Sequence, residues 1–257
     1  MRLLVKLGGT LVDAEEPRLR LARELAAAGR DHHLVVVHGG GKQMTRFLAE
    51  RGVESRFIDG LRVTTPETID AVLKVFAGSV NKQLVASLVA AGAQAVGLSG
   101  IDACLVEAEL LRPELGQVGR PVRSNAGLLD CLTSAGYLPV IACVAVDRQG
   151  RIYNVNADQM AVAVASGFQA ERLVFLTDVE GVLDSGKRLL PVLSLDESED
   201  LIRRGVATGG MQAKLTAAGE ALRNGIQQVV IAPGAAENVL ARLLNSEVLG
   251  TRLVREV

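Results

Sequence analysis

Aromatic side chains are scarce in this chain: it has no Trp, two Tyr and five Phe in 257 residues. A surface for single-stranded nucleic acid needs stacking platforms, so nucleic acid is not an expected partner. Charge of one sign is missing as well. The 28 Lys and Arg nearly balance the 29 Asp and Glu, leaving a net charge of −1. Such a balance gives no field to draw in nucleic acid or an anionic membrane. Cysteine is limited to Cys104, Cys131 and Cys143, an odd count without a CxxC pair. All three lie in apolar surroundings and are expected to be reduced core residues of a cytoplasmic protein. His32 and His33 lack ligand spacing to each other or to any cysteine, so no metal site is assigned. Met1 leads directly into a strand, without a basic n-region, apolar h-region and cleavage site. The charge-free stretches Leu84 to Ile101 and Ser134 to Val146 are interrupted by Gly, Ser, Gln or Pro. The first is too rich in small residues and the second too short to span a bilayer.

What is present is an alternation of short apolar runs with helical segments, the mark of a parallel sheet covered on both faces. Strands are expected at Leu3 to Leu7, Leu34 to His38, Ala95 to Leu98, Val140 to Val146, Leu173 to Thr177 and Gln228 to Ile231. Helices are expected at Glu15 to Ala28, Pro66 to Ala91, Asp158 to Gly167 and Gly210 to Asn224. Thr65 is the natural N-cap of the second, with Pro66 at its first position. The expected architecture is a three-layer αβα sandwich with a mainly parallel central sheet in two lobes. The character of the sequence changes at 168 to 172, which divides the chain into 1–170 and 171–257.

Several strand ends carry glycine. Lys6 is followed by Gly8 and Gly9, and Val37 by His38, Gly39, Gly40 and Gly41. Leu98 is followed by Ser99 and Gly100, and Leu176 by Thr177, Asp178, Val179, Glu180 and Gly181. In a parallel sheet these ends share one edge, where ligands bind. Glycine there serves a tight turn or lets backbone N–H groups approach an anion. Three in a row at 39 to 41 exceed the needs of a turn and favour the anion. No GxxxxGK[ST], GxGxxG or GxSxG accompanies them. Asn154, Asn156 and Asp158 precede an Ala-rich helix, with Asn156 or Asp158 as its cap. In extended chain Asn154 and Asn156 face the same way and could reach one ligand. Asp158 could hold lysines from other segments. Lys214 follows the glycine loop Thr208-Gly209-Gly210 about one helical turn in. The helix dipole disfavours a cation there unless an anion compensates. Arg62 suits either a surface or a bidentate clamp on a carboxylate.

Taken in order, these segments resemble the amino acid kinase family, and within it the branch that phosphorylates N-acetyl-L-glutamate. The resemblance rests on Val5-Lys6-Leu7-Gly8-Gly9, Val37-His38-Gly39-Gly40-Gly41, Gly60-Leu61-Arg62-Val63-Thr64 and Val80-Asn81-Lys82. It continues through Ala95 to Gly100, Glu114 to Gly119, Gly136 to Val140, Asn154 to Asp158, Leu176 to Gly181, Gly210-Met211 with Lys214, and Gly250-Thr251-Arg252. It implies transfer of the ATP γ-phosphoryl group to the side-chain carboxylate of N-acetyl-L-glutamate, the second step of arginine synthesis, with Mg²⁺ accompanying ATP. By the same resemblance Lys6 and Lys214 stabilise the moving phosphoryl group and Asp158 holds both lysines. Gly8 and Gly9 meet phosphate, Gly40 and Gly41 the substrate carboxylate. Arg62 and Asn154, with Asn156 beside it, grip the other end of acetylglutamate. Thr177, Asp178, Val179, Glu180, Gly181, Val182 and Leu183, with Val206, Ala207 and Thr208, line the nucleotide site. Residues 1–170 would bind acetylglutamate and dimerise, and 171–257 would bind ATP.

The chain departs from the family pattern at Lys42, where many relatives have proline. It departs again at Ile231-Ala232-Pro233-Gly234, which replaces a common Asp-Gly-Arg. It also lacks the extra N-terminal helix of arginine-inhibited hexameric members. The expectation is a homodimer joined through the helices after Pro66 and insensitive to arginine. Two other readings stay open: a kinase acting on carrier-linked aminoadipate or glutamate, and a nucleotide-binding regulator without catalysis. Gly41 and Ala157 favour the acetylglutamate type over the first, and retention of both lysines and the aspartate argues against the second.

Overall fold

The computed structural model describes residues 1–256, so Val257, the last residue of the C-terminal segment expected above, lies outside it. Strand β1 (Arg2–Leu7) is buried from Leu3 onward. A short five-residue helix α1 (Gly9–Asp13) and the long α2 (Glu15–Asp31) lead to β2 (His33–His38). Helix α2 carries Glu15 and Glu16 in its first turn and Arg30 in its last, the signs that the helix dipole prefers. Leu21, Ala22, Leu25 and Ala26 form its buried face.

Helix α3 (Gly41–Ala49) precedes a hairpin of β3 (Phe57–Ile58) and β4 (Leu61–Arg62). Asp59 and Gly60 make its turn with φ of 51° and 77°, the left-handed pair that a two-residue hairpin needs. Next come α4 (Pro66–Val72), a π-helical stretch (Leu73–Val80) and α5 (Asn81–Ala90), one continuous rod. Thr65 caps it, its Oγ1 accepting from Thr68 N at 3.2 Å. With a mean hydropathy of 1.2 this rod is long and apolar enough to cross a bilayer, but Val72, Val75, Phe76, Leu84 and Leu88 are buried in the core cluster.

The remainder comprises β5 (Ala95–Ser99), β6 (Val106–Leu110), β7 (Val118–Ser124), α6 (Gly127–Ser134), β8 (Leu138–Ala142), β9 (Val144–Val146) and β10 (Ile152–Val155). After them come α7 (Ala157–Phe168), β11 (Arg172–Thr177), β12 (Val192–Ser194), α8 (Leu195–Arg203), α9 (Gly209–Arg223), β13 (Gln228–Pro233), α10 (Val239–Leu244) and β14 (Thr251–Val254).

The main sheet has the order β12-β14-β13-β11-β1-β2-β8-β5 and is parallel except between β13 and β14. Connections β1–α2–β2 and β2–α5–β5 run toward the β5 edge. Those through α6, α7 and α9 run the opposite way. Right-handed crossovers therefore put α2 and α5 on one face and α6, α7 and α9 on the other. The three layers and the mainly parallel sheet match the sequence. The single sheet runs through both halves of the chain, and 168–172 forms the turn between α7 and β11.

Two expectations need correction. Val140 to Val146 is not one strand: the main-sheet strand ends at Ala142, and β9 joins β6, β7 and β10 in a small closed sheet. The apolar run is long enough for both because each is buried on both sides. Cys104 and Cys131 are exposed, and only Cys143 is a core residue. Cys104 sits on a left-handed turn and Cys131 on the outer side of α6, where neighbouring apolar residues face inward without it.

Candidate functional site

Strand register brings the glycine ends together. Leu7 stands beside Leu176 on one side and His38 on the other. Between β1 and β11 the outgoing connections diverge, since β1 leads toward β2 and β11 toward β13. Such a switch point opens a crevice at the carboxyl ends of the strands.

At this crevice Lys6, 7% exposed, meets Asp158 at the start of α7. Lys6 Nζ is 2.7 Å from Asp158 Oδ1, and Lys214 Nζ from α9 is 3.7 Å from Oδ2. The ammonium has three N–H donors, so one partner at this distance leaves donors for another anion. Burial pushes the Asp158 carboxyl up, yet the charges of Lys6 and then Lys214 outweigh it and hold the group below the usual carboxylate range. Two ammoniums on one carboxylate leave an excess positive charge in a nearly dry place.

The glycine loops face each other across this charge. A Cβ at Gly9 would lie 3.5 Å from Gly41 N and 3.9 Å from Gly40 N, and one at Gly39 would lie 3.5 Å from Ala157 Cβ. Gly9 opens α1, Gly41 opens α3 and Ala157 opens α7, so first-turn N–H groups of three helices converge. Within the loops the glycines have different duties. Gly8 N donates to Leu176 O at 2.9 Å, which ties β1 to β11. Gly40 lacks a side chain because a Cβ would come within 2.9 Å of Phe76 Cδ1, whereas Gly41 is open on that side.

Arg62, 8% exposed, reaches the same loop from the hairpin. It donates to Gly41 O at 3.2 Å, Thr45 Oγ1 at 2.8 Å and Ser55 Oγ, and lies 4.7 Å over the Phe57 ring. Asn154 Nδ2 donates to Thr64 Oγ1 at 3.1 Å, and Thr64 Oγ1 donates to Arg62 O at 2.9 Å. Asn156 is the cap of α7: its Oδ1 accepts from Asp158 N at 2.9 Å and Gln159 N at 3.3 Å. A cleft of about 790 Å³ runs from Gly60 past Asn156 and Asp158 to Gly210 and Lys214.

The turn after β11 is mixed in character. Thr177 is buried, and its Oγ1 donates to Asp178 Oδ1 at 3.1 Å. Val179 and Leu183 are exposed, Leu183 paired with Leu189, whereas Val182 is core and its N–H donates to Thr251 Oγ1 at 2.8 Å. Gly181 fits where a Cβ would meet Thr251 Oγ1 and Leu189 Cδ1, each at 2.7 Å. Glu180 is exposed. Beyond, Val206 is half-buried, Ala207 is buried and Thr208 is exposed at the start of α9.

Several supporting residues escaped the sequence reading. His38 is fully buried; its Nδ1 donates to Gly39 O at 2.8 Å and its Nε2 accepts from Asn81 Nδ2 at 3.0 Å, which fixes the neutral Nδ1–H tautomer. Burial lowers its pKa to about 4. Cys143 Sγ donates to His38 O at 2.9 Å, and Asn81 Nδ2 also reaches Val140 O at 2.9 Å. His38 carried a signal, a polar residue closing the apolar run Leu34 to Val37; Asn81 carried none, since it opens the polar triplet Asn81-Lys82-Gln83. Conversely, Ser99 and Gly100 do not join the cradle. Ser99 N and Oγ donate to Asp102 Oδ2, and a Cβ at Gly100 would strike Val144 O at 2.5 Å.

Comparison with known proteins agrees with this arrangement. The profile of the amino acid kinase family matches residues 1–233. The acetylglutamate kinase of Solibacter usitatus is 64% identical over 255 residues, covering 99% of each chain. That of Acidobacterium capsulatum is 43% identical over 251 residues, covering 96% of each. Among solved structures, a protein of Streptococcus mutans superposes with a TM-score of 0.83 at 27% identity, covering 99% of this chain and 98% of that one. The N-acetylglutamate synthase of Neisseria gonorrhoeae, solved with coenzyme A and N-acetyl-glutamate, superposes with a TM-score of 0.87 at 25% identity, covering all of this chain and 60% of that one. A chain with this profile, these relatives and this sheet belongs to the amino acid kinase family.

Proposed function

We propose that this chain transfers the γ-phosphoryl group of ATP to the side-chain carboxylate of N-acetyl-L-glutamate, giving N-acetyl-L-glutamyl 5-phosphate and ADP in the second step of arginine synthesis. The observation that carries this reading is the Lys6–Asp158–Lys214 triad facing two glycine loops, in a chain 64% identical to an acetylglutamate kinase. The acceptor carboxylate is ionised near pH 7, so the reaction needs no general base. A carboxylate oxygen forms the new P–O bond while the bond from the γ-phosphorus to the β–γ bridging oxygen breaks. That electron pair leaves on ADP, and no proton moves.

The difficulty is electrostatic, because two anions must be brought into line. Lys6 and Lys214 supply fixed positive charge on the phosphoryl group, and Asp158 keeps their two ends at a set separation. Gly9 offers backbone N–H to the phosphates, with Gly8 shaping the turn. Gly40 and Gly41 face the acceptor carboxylate. Arg62 and Asn154, linked through Thr64, hold the far end of acetylglutamate, and Asn156 aligns Asp158. Mg²⁺, arriving bound to ATP, would supply further positive charge on the phosphate oxygens. Thr177 to Leu183 and Val206 to Thr208 border the nucleotide, with Val179 and Leu183 as its apolar floor and Val182 and Ala207 packed behind them. Residues 1–170 serve the acceptor and 171–257 the nucleotide. The molecule works as a cytoplasmic homodimer. Its three cysteines are free, which suits a reducing compartment.

ADP release measured side by side with acetylglutamate, glutamate, aspartate and a carrier-linked glutamate tests the reading. Acetylglutamate should be preferred. Faster turnover on the carrier-linked substrate, or ATP binding without ADP release on any of the four, would overturn it.

A further inference from the structure

The connection after β13 has no charged side chain of its own between Ala232 and Ala236, yet it is held from two sides. On one side stands Arg20 of α2. Its NH2 donates to Gly234 O at 2.5 Å, and its NH1 to Ala236 O at 2.8 Å and Glu24 Oε1 at 2.9 Å. Glu24 Oε2 in turn accepts from Leu240 N at 3.0 Å. One planar guanidinium thus grips two carbonyls two residues apart, a geometry that an ammonium cannot reproduce. On the other side Gly234 N donates to Thr177 O at 2.7 Å. A Cβ at Gly234 would lie 2.3 Å from Leu11 Cδ1, so the backbone there presses on Leu11. Leu11 N donates to Gly8 O at 3.1 Å, and Gly8 N donates to Leu176 O at 2.9 Å. A short chain of contacts therefore runs from Arg20 to both the Thr177 turn and the Gly8–Gly9 loop.

The structure assigns Arg20 as a positioning residue for phosphoryl transfer: it clamps the Gly234 and Ala236 carbonyls and, through Gly234, fixes the Thr177 turn and the Leu11 side chain beneath the Gly8–Gly9 loop. This rests on the reading of those two loops as the nucleotide and phosphate contacts. Arg20 itself touches no substrate. Its effect is geometric, and a displacement of about 1 Å at reacting groups costs on the order of a hundredfold in rate. The clamp acts on the nucleotide half of the site and leaves Arg62 and Asn154 untouched.

Arg20→Met keeps the apolar stem and removes both carbonyl bonds. ATP affinity should weaken and kcat should fall, each by about tenfold, while the KM for acetylglutamate stays within twofold. Arg20→Lys, able to hold one carbonyl, should fall between. Gly234→Ala should reproduce the ATP defect from the opposite side, and Leu11→Ala in the same chain should relieve it. Arg172→Met serves as the control. Arg172 NH1 donates to Leu243 O at 2.9 Å, so its loss should lower the melting temperature without changing ATP affinity. If Arg20→Met melts earlier but binds ATP and turns over like the parent enzyme, Arg20 is only structural and the proposal falls. If the parent releases no ADP with acetylglutamate, the substrate reading fails on its own. ATP affinity of the Arg20 variants, measured by calorimetry, still decides the clamp.

Discussion

Lys6 and Lys214 share a single carboxylate, and the surplus of one positive charge is what a transferring phosphoryl group would meet. Each lysine plays the part of one preorganised donor, so Lys6→Ala or Lys214→Ala should lower kcat by 10²–10³-fold, about 2.7–4 kcal/mol of barrier. Steady-state kinetics at saturating ATP checks this, and near-normal turnover in either variant would refute the assignment. His38 lies one layer behind. Its pKa of about 4 in the folded chain lies below the ordinary 6.5, so between these values the unfolded chain binds more protons. Its contribution is fully present above pH 6.5 and is lost as pH falls toward 4, up to about 3 kcal/mol in all. Urea unfolding from pH 7 to 4.5 should show this slope in the parent. His38→Gln should be less stable at pH 7 but flatter across the window. His32, also lowered by burial, tilts both proteins alike, so the difference between them isolates His38.

Among elements, the π-helical stretch explains a glycine that sequence alone assigned to an anion. Phe76 and Val80 lie on that stretch, and both touch the place where a Gly40 side chain would be. Gly40→Ala should therefore overpack the contact and destabilise the protein by about 1–3 kcal/mol. Thermal unfolding should find part of that loss restored by Phe76→Leu. The parallel strands were legible because strands buried on both faces read as near-continuous apolar runs: Leu173 to Leu176 is unbroken, and Leu3 to Leu7 is interrupted only by Lys6. Thr65-Pro66 announced its helix, and Asn156 could be narrowed to one of two caps. The small closed sheet was not legible. Its strands are short and mixed, as in Glu107 to Leu110 with a bulge at Glu107 and Ala108, and it closes only through the long-range pairings of β10 with β7 and β6 with β9. The triad could be suggested from Lys6, Asp158 and Lys214 as types at strand and helix ends. Only the crossover of α7 onto β1 brings them within ion-pair distance. Arg62 and Thr64 depended on the Asp59-Gly60 hairpin, whose strands are only two residues each, too short to read as strands.

At the scale of the whole molecule, the rod from Pro66 to Ala90 buries one side and leaves Ala86, Val89 and Ala90 exposed on the other, with Val89 at 55%. That stripe is where the homodimer would form. Sedimentation should find a dimer in the parent and a monomer for Val89→Arg, whose charge the joint would have to desolvate. The break after Ala142 carries a different consequence. Between β8 of the eight-stranded sheet and β9 of the small closed sheet lies a single residue, Cys143, whose thiol is buried and pushed up to about 12. A thiol in that state is inert to alkylation, unlike the exposed Cys104 and Cys131. Iodoacetamide should therefore label two sites within minutes and the third only when the two sheets part. Cys143 is a built-in clock whose ticking, read by mass spectrometry, reports how often this enzyme comes open at its seam.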